Sequence, residues 1–276
     1  MGIEDRTGFM GIHQSFAETE LGETLASRVR YTTYKPEEVT NERWEELLGA
    51  DVNNLDHLAL TYGLAKSMVR HLREERPDFL TPHEEDVLLV TALIHDWAEA
   101  IVGDINYNDK TPEQEAEEMR QLSAILGQHY DDDTTGIREL VLEASEVVSS
   151  PDSKLGKVFN TIERIGYMRT ALRASEQARS GKAEDCAVGL KWLYSDVLGN
   201  HTVTLIERSE EYPMLRGYLL NQQHVIFSAF VGMSADVFMN YPPEKRIAKQ
   251  TAFLAAFRAF AEYVAKNDSD PSYSNP

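Results

Sequence analysis

Apolar residues in this chain recur at intervals of three and four and almost nowhere at two, a periodicity that helices satisfy and pleated strands do not. Leu58, Tyr62, Ala65, Val69 and Leu72 fall on one face of a helix predicted over 55–75. Prolines are sparse and sit at element boundaries: Pro82, Pro112, Pro151, Pro213 and the pair Pro242-Pro243. Thr81-Pro82-His83-Glu84 combines an N-cap residue, a first-turn proline and a first-turn acid. It predicts a helix that runs through Leu93 and Ile94 and ends near Gly103. Thr111-Pro112-Glu113 repeats the device for a helix to about His129, and 131–136 reads as a loop. Further helices are predicted over 137–149, 154–180, 184–208, 215–239 and 244–266. The fold class is therefore all-α, a helical bundle with short links and no internal repeat. It reads as one domain with an N-terminal helical arm (1–50), a core (51–180), a C-terminal helical extension packed on the core (181–266) and a flexible tail (267–276).

Forty-six acids against 27 bases give the 276 residues a formal net charge of -19. Such a field repels polyanions, which argues against DNA or RNA as a partner. A small phosphorylated substrate stays compatible with it where a metal and a few local bases offset the acids. No apolar run approaches the roughly 20 residues of a membrane span, so no membrane partner is expected. The acidic start has no basic n-region or apolar h-region of a signal peptide. Its Met-Gly opening is not read as a myristoylation signal, because Thr7 falls one place late. The single cysteine, Cys186, excludes an internal disulfide, fits a cytoplasmic location and reads as a buried, inert thiol.

One segment carries chemistry: Ala92-Leu-Ile-His95-Asp96-Trp-Ala-Glu99-Ala-Ile-Val-Gly103-Asp104-Ile105. Adjacent residues on a helix point about 100° apart, so His95 and Asp96 can share one ion only near a helix end or kink. Imidazole with carboxylate suits a borderline divalent metal. Such a site needs ligands from elsewhere, and His57, on the preceding predicted helix, is the best candidate. His13, His71, His83, His129, His201 and His224 lack ligand spacing and read as structural or exposed. Phe253, Phe257, Phe260 and Tyr263 read as core or as a dimer seam.

His57 followed by His95-Asp96 and a downstream acid resembles the signature of the HD phosphohydrolase superfamily. The run His-Asp-x-x-Glu-x-x-x-Gly-Asp-Ile resembles the branch of bacterial 5′-deoxynucleotidases and their eukaryotic HD-domain relatives. The resemblance covers roughly residues 50–175 and implies an HD-type helical bundle. It implies one divalent metal (Mn, Co, Fe, Ni or Zn) on His57, His95, Asp96 and a fourth ligand, normally aspartate. Here Glu163, in Lys157-Val-Phe-Asn160-Thr-Ile-Glu163-Arg164-Ile165, takes that place, with Asn160 the less favoured substitute.

The resemblance also assigns Asp104 to orient or deprotonate an attacking water and Glu99 to act as general acid for the leaving oxygen. It points to Lys110, and to Arg28 or Arg30, as phosphate-binding bases. Glu99 stands where the di-iron oxygenase branch has a further histidine, which favours a single metal and hydrolysis. Ala100 stands where the branch that hydrolyses guanosine tetraphosphate has aspartate. The implied activity is removal of phosphate from a (deoxy)nucleoside 5′-monophosphate. A triphosphohydrolase acting on deoxynucleotides and a non-catalytic nucleotide- or metal-binding regulator are the alternatives. Relatives of this kind imply a homodimer.

Overall fold

The computed structural model describes residues 9–49, 52–103, 110–131 and 137–267. Among these the only β-type pairing is one isolated antiparallel bridge, Val29 with Asn53, and the chain is all-α. None of the described helices is long and apolar enough to cross a membrane. The residues group into two compact units, one of residues 1–30 and 50–163, the other of 31–49 and 164–276. This division cuts across the expected one: the stretch 1–50 is shared between the units, and the second boundary falls at 163/164.

The first unit contains α1 (Met10–Ala17), α2 (Glu20–Ala26), α4 (Asn54–Glu75), α5 (Pro82–Ile94), α6 (Glu99–Val102), α7 (Pro112–His129) and α8 (Ile137–Ser149). Its centre is α5, which packs against α4 and α8. Every residue from Val87 to Ile94 is buried, so this helix is enclosed on all sides. The predicted face of α4 is buried as expected, from Leu58 to Leu72. Thr81 caps α5 in a reciprocal box with Glu84, and Pro82 occupies the first turn. Thr111, Gln114 and Pro112 do the same for α7.

The helix expected to continue to Gly103 stops at Ile94. Beyond it the amides of Trp97, Glu99 and Ala100 bond to carbonyls three residues back instead of four. The winding tightens through 95–98 before α6 resumes. Apolar spacing does not register that change. Gly103 ends α6 at φ 89°, a conformation that side-chain-bearing residues rarely adopt.

The second unit contains α3 (Asn41–Leu48), α10 (Ala187–Glu211), α11 (Pro213–Asn221), α12 (Gln223–Val231) and α13 (Pro243–Asn267). The long α9 (Lys154–Arg179) contributes to both units, the boundary falling between Glu163 and Arg164. The expected single stretch 215–239 is three elements: α11, α12 and a 3-10 segment, Ala235–Asn240. The break at Gln222 carries neither proline nor glycine to mark it.

α10 and α13 form the main helix pair of this unit. The aromatic run of α13 faces inward, with Phe253, Phe260 and Tyr263 buried and Phe230 packed on Phe253, Phe257 and Phe260. Of the two expectations for that run, core applies. Asp196 is buried and accepts hydrogen bonds from Tyr34, Asn200 and Lys249. Cys186 is buried, and burial pushes its thiol up to about 11.

Candidate metal centre

The first turn of α4, the end of α5 and the α9 segment up to Glu163 bring four side chains together inside the first unit. His57 follows the N-cap of α4 by one turn, with Asn53 accepting the Asp56 amide. His95 is the C-cap residue of α5 and Asp96 follows it, so both sit at the helix end that sharing one ion requires. Ligand atoms of His57, His95 and Asp96 lie within 4.8 Å of one another, and all three residues are buried. His95 Nε2 is 3.3 Å from both Asp96 Oδ2 and Glu163 Oε1. His57 Nε2 is 3.8 Å from Asp96 Oδ2 and 3.6 Å from Glu163 Oε1. Donors about 2.0–2.2 Å from a common ion stand about 3–3.6 Å apart at octahedral to tetrahedral angles, which three of these four separations match.

Protonation fits a cation as well. His95 Nδ1 lies 3.2 Å from the Ala92 carbonyl, to which it donates. The neutral ring therefore carries its lone pair on Nε2, a buried atom without a hydrogen bond that faces the two carboxylates. Burial disfavours a charged His95, yet Asp96 and Glu163 hold its pKa well above the usual histidine value. Burial and the Arg30 guanidinium hold His57 below that value. Burial works against an ionised Asp96 and an ionised Glu163, but the histidines beside both outweigh it. Asp96 is lowered to about 2, and Glu163 well below its ordinary range. Two carboxylates thus face two imidazoles, a donor set that neutralises a divalent cation. Thr61 Oγ1 lies 3.3 Å from His57 Nε2.

Each base expected to bind phosphate already has an acceptor in its own unit. Arg30 Nη1 donates to Asp96 Oδ2 over 3.1 Å, in a pair that is almost wholly buried. A carboxylate oxygen has two lone pairs, so this bond and a metal can share Oδ2. Arg28 Nη2 donates to the Ala100 carbonyl at 3.1 Å, while its Nε is buried without a hydrogen bond. Lys110 donates to Glu118, whose proximity raises the lysine pKa against the effect of burial, with Glu99 and Asp96 adding to it. The backbone places both arginines: Arg30 N donates to the Val52 carbonyl at 2.6 Å, and Asn54 N to that of Arg28 at 3.1 Å. These bonds lay the segment 28–30 beside the start of α4.

Glu99 is buried in the first turn of α6, and Asn54 Nδ2 donates to its Oε2. Asn160 is half-buried on α9. Asp104 lies outside the described residues, as do Ile105 and the tail from 268 onward. Two residues of the site escaped the sequence reading. Asn54 stands three residues before His57, a helical spacing that could have placed it on the same face. Glu118 sits within a run of similar acids on α7, and no signal distinguishes it. Burial raises its carboxyl pKa, with Asp96 adding to the shift against the pull of Lys110. The chain matches no protein-family model, no curated protein and no solved structure.

Proposed function

We propose that this chain is a metal-dependent phosphohydrolase of the HD type, acting in the cytoplasm on (deoxy)nucleoside 5′-monophosphates. The observation that carries the reading is the convergence of buried His57, His95 and Asp96 with half-buried Glu163, His95 Nε2 being aimed at both carboxylates. These four residues would hold the cation. A divalent cation supplies Lewis acidity toward a phosphoryl oxygen and toward water. The chain's own residues do the rest. Asn54 orients the Glu99 carboxyl through Oε2, and Glu99 carries the proton for the leaving oxygen. Arg30 holds Asp96 in place, and the Gly103 turn lies against Arg28, whose Nη1 is 3.1 Å from where a Cβ at Gly103 would sit. Asp104 follows that glycine in sequence and takes the role of orienting or deprotonating the water.

One observation favours a second reading, a non-catalytic metal- or nucleotide-binding regulator. Arg28, Arg30 and Lys110 all spend hydrogen bonds on acceptors of the same unit, and a phosphate has to share them. Phosphate release separates the two. Metal-stripped protein reloaded with Mn, Co or Zn is expected to free orthophosphate from monophosphates, and His95→Ala to lose that release. Tripolyphosphate from deoxynucleoside triphosphates would instead assign the triphosphohydrolase activity. Bound metal without turnover of any nucleotide would establish the regulator and overturn the enzyme.

A further inference from the structure

Lys110 and Glu118 form an ion pair near the candidate metal centre, with side chains only 16% and 14% exposed. Glu118 lies about two turns into α7, which packs against α6, the short helix that carries Glu99. The other acids of α7 behave as surface acids: Glu113 and Glu115 are exposed, and Glu117 pairs with Arg120. Glu118 is turned inward, where the cluster acts on the pair: Asp96 and Glu99 on the lysine, Asp96 and His95 on the carboxyl. A site built only to grip an anion would leave its lysine free. Here a carboxylate that burial and Asp96 both disfavour is seated on that lysine.

Charge gives such an acid a use. Among the described residues of this region, Asp96, Glu99, Glu118 and Glu163 stand against Arg28, Arg30 and Lys110. A divalent cation added to these four acids and three bases leaves a surplus of one positive charge. A phosphate monoester, at about −1.5 to −2, already exceeds it. Resting on the phosphohydrolase reading above, we propose that Glu118 sets the substrate class: its charge, paired with Lys110, admits a nucleoside monophosphate and turns away di- and triphosphates. The lysine ammonium has three N–H donors, enough to serve Glu118 and one phosphate oxygen together. A second or third phosphate brings further negative charge to the same lysine. Glu118 repels that charge in a partly buried setting, where like charges act on one another far more strongly than in water. Without Glu118 the lysine would be a free cation, and the more highly charged nucleotide would gain the most from it.

The dissociation constants of dAMP and dATP test the proposal, measured by calorimetry on the full chain at a fixed free manganese concentration. Glu99→Gln is carried in every variant to prevent turnover. This parent is expected to bind dAMP the more tightly. Glu118→Gln is expected to lower the ratio of the dATP constant to the dAMP constant about tenfold. Lys110→Gln is expected to raise that ratio, and the double exchange, which restores the net charge, to return it to the parent's. Glu118→Asp keeps the charge and is expected to keep the ratio. If thermal melts show that Glu118→Gln does not fold, Lys110→Gln still tests the proposal through the opposite shift. Were Glu118 only a prop for Lys110, its loss would weaken both nucleotides alike. A ratio unmoved by either single exchange, or binding of neither nucleotide, overturns the proposal. Phosphate release by the wild type tests the enzyme reading separately. A chain that shows the Glu118-dependent ratio but releases no phosphate loses that reading and keeps Glu118 as the selector of a binding site. A chain that hydrolyses dAMP with a ratio indifferent to Glu118 keeps the reading and loses the selector.

Discussion

His95 is held at both nitrogens by opposite demands. Nδ1 is committed to the Ala92 carbonyl, and Nε2 looks at two carboxylates that want either a proton or a cation there. The two occupants respond to pH in opposite ways. The folded pKa of His95 lies above its unfolded value of about 6.5, so its contribution to stability is full below that pH and is lost as pH rises through the folded value. Asp96 is depressed to about 2, so its contribution is full above about 3.9 and is lost as pH falls. Together His95 and Asp96 are therefore most stabilising between about pH 4 and 6.5, while His57, held below its usual value by burial, works the other way and costs stability as pH falls below about 6.5. A cation must displace the His95 proton, so the rise in Tm on adding Mn or Co is expected to grow from about pH 5 to 8. Melts with and without metal across that range measure it. An increment that is flat or shrinks with pH would rule out His95 as a ligand.

At the scale of the element, α5 both carries the core and delivers His95 and Asp96, and its start is fixed locally. Thr81 accepts the Glu84 amide and Glu84 returns the bond to the Thr81 amide. Thr81→Ala is expected to cost about 1 kcal/mol of stability. Metal affinity should not change, because the ligands lie four turns away at the other end; denaturant titration beside metal titration checks both. That start was legible because Thr-Pro-x-Glu acts within one turn. So was the buried face of α4, because helical periodicity reports burial directly.

The turn at 95–98 was not legible, since three-residue and four-residue hydrogen bonding share the same apolar pattern. Nor was the bond from Arg30 to Asp96, which spans 66 residues and depends on a single backbone bridge to the start of α4. The candidate cluster was half legible. His95 and Asp96 announce themselves by adjacency, and His57 by its helix, but Glu163 stood out only through a resemblance. Asn54 and Glu118 are polar residues among many until the fold brings them to the site.

Over the whole molecule, the charge of -19 opposes the anion that the proposed reaction must admit. Screening that field shortens its reach to about 8 Å at physiological ionic strength. The KM for a nucleoside monophosphate is therefore expected to fall as salt rises from low to physiological, with kcat little changed. Steady-state kinetics in a non-coordinating salt measures this, and a KM that rises instead would mean that local bases, not the global field, govern entry. The division into two units has a consequence of another kind. The chain leaves the first unit after Arg30 and returns at residue 50, and residues 31–49 belong with segments that follow 164. A ribosome releases the chain from its N-terminus, so Tyr34 is made 162 residues before Asp196, the carboxylate it bonds. Trp44, fully buried in the folded chain, is made well before the segments after Glu163 that complete its unit. The nascent chain thus carries an early apolar segment that cannot be enclosed until the segments after Glu163 have been made, a natural target for a chaperone that holds without folding.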